Sequence, residues 1–150
     1  MANGLFPFYN RPIPGAIKAR KLVTTKAKTG MIMVADHATA PEGVTPCSSA
    51  GQTALVGVIS DPQGDPNDSG QFPVNGTINV CEMGTIPVLL LADTYAEGDA
   101  IIASATTGCG KKLGAESVAY GVLGYFDDVP GTYGATTLLS VRLNIHNEQH

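Results

Sequence analysis

The chain has 150 residues, of which 43% are hydrophobic and 15% are charged, and its formal net charge is −4 at pH 7. These values predict one globular domain with a core of its own and exclude a low-complexity or fibrous chain. The longest apolar stretch, Ile86 to Ala92, is too short to span a bilayer, so no membrane segment is expected. The three cysteines are widely spaced, which indicates neither a disulfide framework nor a zinc site. Without a secretory signal, synthesis in a reducing cytoplasm is expected.

The charges are distributed unevenly along the chain. Six of the nine Lys and Arg lie in the first 35 residues, whereas all thirteen Asp and Glu come later, beginning at Asp36. Three prolines between Pro7 and Pro14 exclude a helix in this segment. We therefore predict an extended, basic, Pro- and aromatic-rich N-terminal arm over residues 1–29, followed by a single β-barrel-like domain over residues 30–150. The candidate partner-binding residues are Phe6, Phe8, Tyr9, Arg11, Lys18, Arg20 and Lys21.

Three interpretations of the arm are open. It could bind nucleic acid through its cations and aromatic rings, although the acidic remainder of the chain would oppose a polyanion. It could be a solvated tail, although such tails seldom carry large aromatic side chains. The favoured interpretation is docking on a neighbouring protein subunit, with the aromatics as anchors and the cations on acidic rims.

Short β-branched and apolar runs separated by Gly, Pro and Asn predict strands through the rest of the chain. The pattern becomes strand-like from Ile17, and the later predicted strands are Met31–Val34, Leu55–Ile59, Ile78–Met83, Ile86–Leu91, Ala100–Ala103, Val118–Phe126 and Leu139–Ile145. Pro87 places its strand at a sheet edge or lies at the start of that strand, and Gly121 and Gly124 indicate a bulge or a bend. Residues 92–96 are the one short helix candidate. The prediction is an all-β fold, either a small β-barrel or a sandwich domain.

An internal echo relates two parts of the chain, residues 30–84 and 98–145. Gly30 and the apolar run after it match Gly98 and its run, and Val56–Ile59 match Tyr120–Leu123 further on. Each copy reads as turn, strand, polar loop and strand, and the second strand ends in acidic residues. A structural duplication explains the echo, but repeated turn–strand units in any β domain also explain it.

Reactive groups are sparse, so we expect no enzyme activity, no metal and no cofactor. The sequence has no GxSxG, HExxH, GxGxxG or phosphate-loop motif. Gly108 to Lys112 is interpreted as a hairpin tip rather than a phosphate loop. The alternative of a small enzyme or ligand-binding barrel would depend on His37 and on the loop with Asp61, Asp65 and Asp68.

The order of motifs in the second half resembles tailed-bacteriophage capsid decoration proteins, also called cement proteins. The resemblance lies in Tyr95–Ser104, in Tyr120–Tyr125 and in Leu139–Leu143 near the C-terminus. It covers roughly residues 86–145, and the first copy of the echo matches again at 30–61. The N-terminal arm departs from the shorter members of that family.

The resemblance implies a small β-barrel or a tulip-like β fold on the outside of an icosahedral phage head, made in the host cytoplasm. Its partners would be the major capsid protein and neighbouring copies of itself, with a homotrimer as the favoured state. Such a protein stabilises contacts between capsid subunits. The alternative from a different class is a nucleic-acid-associated β-barrel binding module.

Overall fold

The computed structural model describes residues 16–115 and 119–148, in which the regular structure is β-strand apart from one 3₁₀ turn, Pro66–Asp68. The strands are β1 (Ile17–Leu22), β2 (Ile32–Ala35), β3 (Gly43–Pro46), β4 (Leu55–Ile59), β5 (Thr77–Cys81), β6 (Gly84–Leu90), β7 (Asp93–Tyr95), β8 (Ala100–Ala103), β9 (Gly110–Lys112), β10 (Tyr120–Phe126), β11 (Gly131–Tyr133) and β12 (Thr137–Glu148). Within these residues no helix has the length and apolar character needed to cross a membrane.

The strands build two closed five-stranded barrels and a two-stranded ribbon of β7 and β11. The ring order is β1-β3-β2-β4-β5 in barrel 1 and β6-β9-β8-β10-β12 in barrel 2. In each ring one pair is parallel, β1 with β3 and β6 with β9, and the other pairs are antiparallel. The predicted all-β barrel fold is confirmed, and the same barrel topology occurs twice.

The strand register shows that the two barrels correspond residue by residue. In barrel 1, Met33 of β2 pairs with Gly57 of β4, and the register shifts next to this pair. In barrel 2, Ile101 of β8 pairs with Gly124 of β10, and the register shifts at the same place. Gly57 therefore corresponds to Gly124. The sequence match had aligned Gly57 with Gly121, which is wrong because the bulge in β10 displaces the register.

The turn that opens each repeat is also the same. Gly30 and Gly98 both adopt a positive φ, of 83° and 86°, as a left-handed turn residue requires. The amide of Gly30 donates to the carbonyl of Ile59 over 3.2 Å, and that of Gly98 donates to the carbonyl of Phe126 over 2.9 Å. The match between Gly30 and Gly98 that the sequence indicated is thus a match of structure.

In each barrel, a carboxylate that follows the fourth strand accepts a hydrogen bond from a backbone amide of the fifth strand. The side chain of Asp61 accepts a hydrogen bond from the Asn79 amide over 2.9 Å, and that of Asp128 accepts one from the Ser140 amide over 2.8 Å. Each acid follows the fourth strand of its barrel and bonds to the fifth. The acidic residues that follow the echoed strands therefore satisfy backbone donors of the fifth strand in each barrel.

The hydrophobic core is shared between the barrels. The interior of barrel 1 forms one cluster, with Leu22, Met33, Val44, Ile59, Ile78 and Val80 among its buried members. The interior of barrel 2 belongs to a larger cluster that also takes in the outer face of barrel 1. The barrel 1 residues in that larger cluster are Ile32, Val34, Cys47, Val58 and Cys81. Barrel 1 thus buries one face inside itself and the opposite face against barrel 2.

Three sequence predictions need correction. The arm does not extend to residue 29, because Ile17–Leu22 pairs with β3 and β5 as a strand of barrel 1. The helix predicted over residues 92–96 is wrong, because Asp93–Tyr95 pairs with β11. No strand was predicted over Gly43–Pro46, but this segment forms β3, because its neighbours in the barrel supply the pairing that its Gly and Pro do not favour.

Pro87 lies in the middle of β6, one of the five strands that form the wall of barrel 2, rather than at a sheet edge or at the start of a strand. This strand pairs with β12 along its length, and with β9 only at Leu90. Its sparsely paired side meets the first barrel, where the amide of Leu89 donates to the carbonyl of Gly30 over 2.9 Å. Pro87, which has no amide to donate, is accommodated on a strand whose second side has few ladder bonds.

The two bulge glycines generate a stability prediction. A Cβ built on Gly57 would lie 2.1 Å from the carbonyl oxygen of Cys81, and one on Gly124 would lie 2.1 Å from that of Arg142. We expect Gly57→Ala and Gly124→Ala each to lower the free energy of unfolding by about 1–3 kcal/mol, as overpacking does. Gly134→Ala is the matched control, because the added Cβ meets no described atom within 4 Å. Chemical denaturation measures all three, and equal stability of all three variants would contradict the bulge assignment.

Candidate functional site

The basic residues of β1 alternate between the two faces of barrel 1. Lys18 pairs opposite Val80 in β5, which is the position that Ile86 holds opposite Val141 in barrel 2. By the same register, Arg20 holds the place of buried Val88. Lys18 and Arg20 therefore occupy register positions at which barrel 2 has inward-facing aliphatic side chains, although Lys18, near the start of β1, is exposed, and Lys21 lies on the outer face.

Arg20 is bound by two acids of its own chain. Its guanidinium donates to the carboxylate of Glu82 over 2.6 Å and to that of Glu42, while the Lys18 ammonium lies 3.7 Å from Glu82. The side chain of Arg20 is only 12% exposed. The hydrogen bond to Glu82, together with the charges of Glu82 and Glu42, raises the pKa of the Arg20 guanidinium above its ordinary value, although burial acts against this. Arg20 is thus a permanently charged group that the fold itself neutralises.

A cavity of about 320 Å³ opens beside this ion pair. Arg20 and Glu82 form its charged wall, and Leu55, Val56 and Ile145 form its apolar wall. The Nε of Arg20 is buried and has no hydrogen-bond partner among the described residues. The cavity lies between barrel 1 and the last strand of barrel 2, since Ile145 belongs to β12.

The structure does not gather the predicted binding residues into one patch. Phe6, Phe8, Tyr9 and Arg11 lie outside the described residues. Of the other three, Lys18 and Lys21 are exposed on different faces of β1, and Arg20 is engaged by Glu42 and Glu82. The alternation of Lys18, Arg20 and Leu22 was visible in the sequence. The sequence alone could not show that the strand face with these three residues is turned toward the interior of barrel 1.

The acidic loop that was considered for a cation has structural partners instead. Asp61 bonds to Asn79, the Asp65 carboxylate accepts from the Asn67 amide over 2.9 Å, and Asp68 lies 2.7 Å from the Lys26 ammonium. No group of three His, Cys, Asp or Glu that could hold a metal ion occurs in residues 16–115 and 119–148. His37 is exposed in a turn.

The three cysteines are buried as free thiols. Burial raises the pKa of the Cys47 thiol to about 11 and also raises those of Cys81 and Cys109. At neutral pH they are therefore protonated, and a protonated thiol is a poor nucleophile. Their positions in the core agree with a packing role.

Neither the models of known protein families nor the sequences of curated proteins match this chain.

The Arg20–Glu82 pair generates a testable prediction. Barrel 2 has Val88 at the position of Arg20 and Leu143 at the position of Glu82. The second correspondence follows from the pairing, because Leu143 is opposite Gly84 in barrel 2 and the amide of Glu82 donates to the carbonyl of Ala16 in barrel 1. Arg20→Val alone should lower the free energy of unfolding by about 1–3 kcal/mol, because it leaves the Glu82 carboxylate partly buried without its partner.

The double variant Arg20→Val with Glu82→Leu should recover most of that loss, since a buried ion pair and a packed apolar pair often have similar net stability. Thermal or urea unfolding of the two single variants and the double variant gives the coupling energy. Additive losses would show that the pair contributes nothing as a unit.

Proposed function

We propose that this chain is a structural virion protein that binds the outer surface of an icosahedral phage capsid and stabilises contacts between major capsid protein subunits. The observation that carries the proposal is the place of the motifs behind the resemblance. The turn at Gly98 opens β8, Tyr120–Tyr125 lies in β10, and Leu139–Leu143 lies in β12. These are three elements of one closed barrel, and barrel 1 repeats them in the same order. The resemblance thus rests on the residues that build the repeated unit.

The geometry suits a clamp. A protein that holds a shell together needs a rigid body and many repeated contacts, because avidity over a lattice multiplies a modest affinity. Two barrels that share a core supply the rigid body. Reactive side chains are not required for this task. The partners in this proposal are the major capsid protein and neighbouring copies, in a homotrimer on the capsid exterior after synthesis in the host cytoplasm.

The corrected boundary changes the character of the arm. Residues 1–15 contain Phe6, Phe8 and Tyr9 but only one cationic side chain, Arg11. The lysines and Arg20, which gave the predicted arm its basic character, belong to β1 and to the turns after it. We therefore propose that residues 1–15 anchor to the capsid mainly through aromatic contact. Salt should weaken this contribution little, because apolar contacts are not screened.

Co-sedimentation with expanded, undecorated phage heads tests the function. The full chain should pellet in a saturable way, and a chain that begins at Ala16 should stay folded and bind about tenfold more weakly or worse. Truncation at residue 29 is not a suitable comparison, because it removes β1 from the barrel. Absence of saturable pelleting of the full chain would overturn the proposed function.

Point variants separate the two parts of the predicted site. Replacing Phe6, Phe8 and Tyr9 with Ala should reproduce the loss seen on truncation, because those rings are the proposed anchors. Lys18→Glu with Lys21→Glu should have a smaller effect, and Lys28→Glu, also exposed, is the matched control. The same variants bear on the nucleic-acid alternative, which Arg20 supports less now that two acids engage it. Retention on a polyanion column that Lys18→Glu with Lys21→Glu abolishes would favour that alternative.

A further inference from the structure

The contact between the two barrels uses one face of barrel 1. Ile32, Cys47 and Val58 lie on the outer face of that barrel, buried in the cluster that fills barrel 2. The amide of Ile32 donates to the carbonyl of Gly108 over 2.8 Å, and Gly108 donates to Cys47 over 2.8 Å. This set is named the donor face of barrel 1.

Barrel 2 carries a counterpart of the donor face. The amide of Leu113 donates to the carbonyl of Ala100 over 2.8 Å, just as the amide of Cys47 donates to the carbonyl of Ile32 over 2.9 Å. Tyr125, paired opposite Ala100, corresponds to Val58, paired opposite Ile32. These residues form a second apolar cluster, separate from the shared core.

The members of this second cluster are Ile102, Tyr120 and Val122, which are buried, with Ala100, Leu113 and Tyr125 packed against them and half-buried.

The two donor faces differ in what covers them. A Cβ built on Gly30 would lie 2.3 Å from Leu138 Cδ2, because barrel 2 packs there. The same position on Gly98 meets no described atom within 4 Å. The turn that barrel 1 buries against its neighbour is therefore open on barrel 2.

Barrel 1 packs against one surface of barrel 2, and the residues that correspond to this surface in barrel 1 form a second, exposed surface. Leu89 pairs opposite Leu138 in barrel 2, and Lys21 pairs opposite Thr77 in barrel 1. Gly108 corresponds to Glu42, since both have a positive φ and each lies five residues before the residue, Leu113 or Cys47, whose amide bonds to the equivalent carbonyl.

Whereas Gly108 is buried in the contact between the barrels, Lys21, Glu42 and Thr77 are exposed. This set is named the free receiving face.

Side-chain sizes at the two contacts are complementary. Within the chain, Ile32 Cδ1 lies 3.0 Å from the position that a Cβ on Gly110 would occupy, so the glycine makes room for the isoleucine. The corresponding residues are Ala100 in the donor position, which is half-buried, and Val44 in the receiving position, whose side chain is buried inside barrel 1. The first contact places the large Ile32 over the small Gly110, and the second would place the small Ala100 over the larger Val44. The summed side-chain volume of the two residues is therefore similar in both contacts.

We propose that a second copy of this chain docks head to tail, with the donor face of barrel 2 of one copy on the free receiving face of barrel 1 of the next. The contact repeats between chains the packing that joins the barrels within a chain. Such a contact is heterologous and closes into a ring when the rotation allows it. This deepens the proposed function by naming the interface of its homotrimer, but it does not require a capsid.

The contact between chains is more polar than the contact within the chain. Lys21 and Glu42 stand where barrel 2 has Leu89 and Gly108, and charged residues at an interface contribute specificity more than affinity. The association should therefore be reversible and weaken as the salt concentration rises.

Mixing two variants of the full chain tests the proposal. Thr77→Arg removes the receiving face, and Ala100→Glu removes the donor face. Leu113→Glu is a second donor-face variant in case Ala100→Glu fails to fold. Thr132→Arg, an exposed threonine on β11, is the matched control. Light scattering after size exclusion measures the mass of each sample at the same concentration, and thermal unfolding checks that each variant is folded.

The wild-type chain and Thr132→Arg should give one discrete mass above that of a single chain, with three chains for the homotrimer. Each interface variant alone should give the mass of one chain. An equimolar mixture of Thr77→Arg with Ala100→Glu should give two chains, because one intact donor face and one intact receiving face are present. Wild-type protein of one-chain mass, or assembly that Thr77→Arg leaves unchanged, would overturn the proposal. Capsid binding is measured separately, so a failure here leaves the proposed function standing, and the reverse also holds.

Discussion

The packing of Ile32 over Gly110 holds the two barrels together, and the rest of the structure depends on it. Ile32 lies on the outside of barrel 1, yet its side chain belongs to the core of barrel 2. A side chain at position 110 would fill the space that Ile32 occupies. Because the interior of barrel 2 is completed by barrel 1, the two barrels share one core, and neither presents all of its apolar surface to solvent.

The sequence indicated the repeat but not the order of the strands around each barrel. The echo of Gly30 in Gly98 was visible because a left-handed turn restricts the residue type, and the alternation in β12 was visible because one of its faces is buried. The segment Gly43–Pro46 was missed because its Gly and Pro are typical of loops, and only its neighbours in the barrel make it a strand. Asp93–Tyr95 was misassigned for the same reason, since it depends on β11, which is remote in sequence.

The candidate site shows the same limit. The residue types on β1 predicted an interaction surface, which stays a prediction, and the structure shows Lys18 and Lys21 to be exposed. The engagement of Arg20 depends on Glu42 and Glu82, which no local pattern connects to it. Comparison of the two barrels explains the arrangement: positions that are aliphatic in barrel 2 became charged in barrel 1. The charges of Lys18 and Arg20 have acidic partners within their own barrel, so barrel 1 holds them without a contribution from barrel 2.

The uneven charge along the chain therefore has two separate origins. Arg20 neutralises acids of its own barrel, and Lys26 pairs with Asp68. Some of the N-terminal positive charges therefore form ion pairs within the fold. What precedes Ala16 is aromatic rather than basic, since Arg11 is its only cationic side chain. The anchor that we propose in residues 1–15 would gain its binding energy from buried ring surface, which salt does not screen. Electrostatic attraction to a partner would instead come from Lys18 and Lys21 on the barrel itself, so the two contributions can be separated by their response to salt.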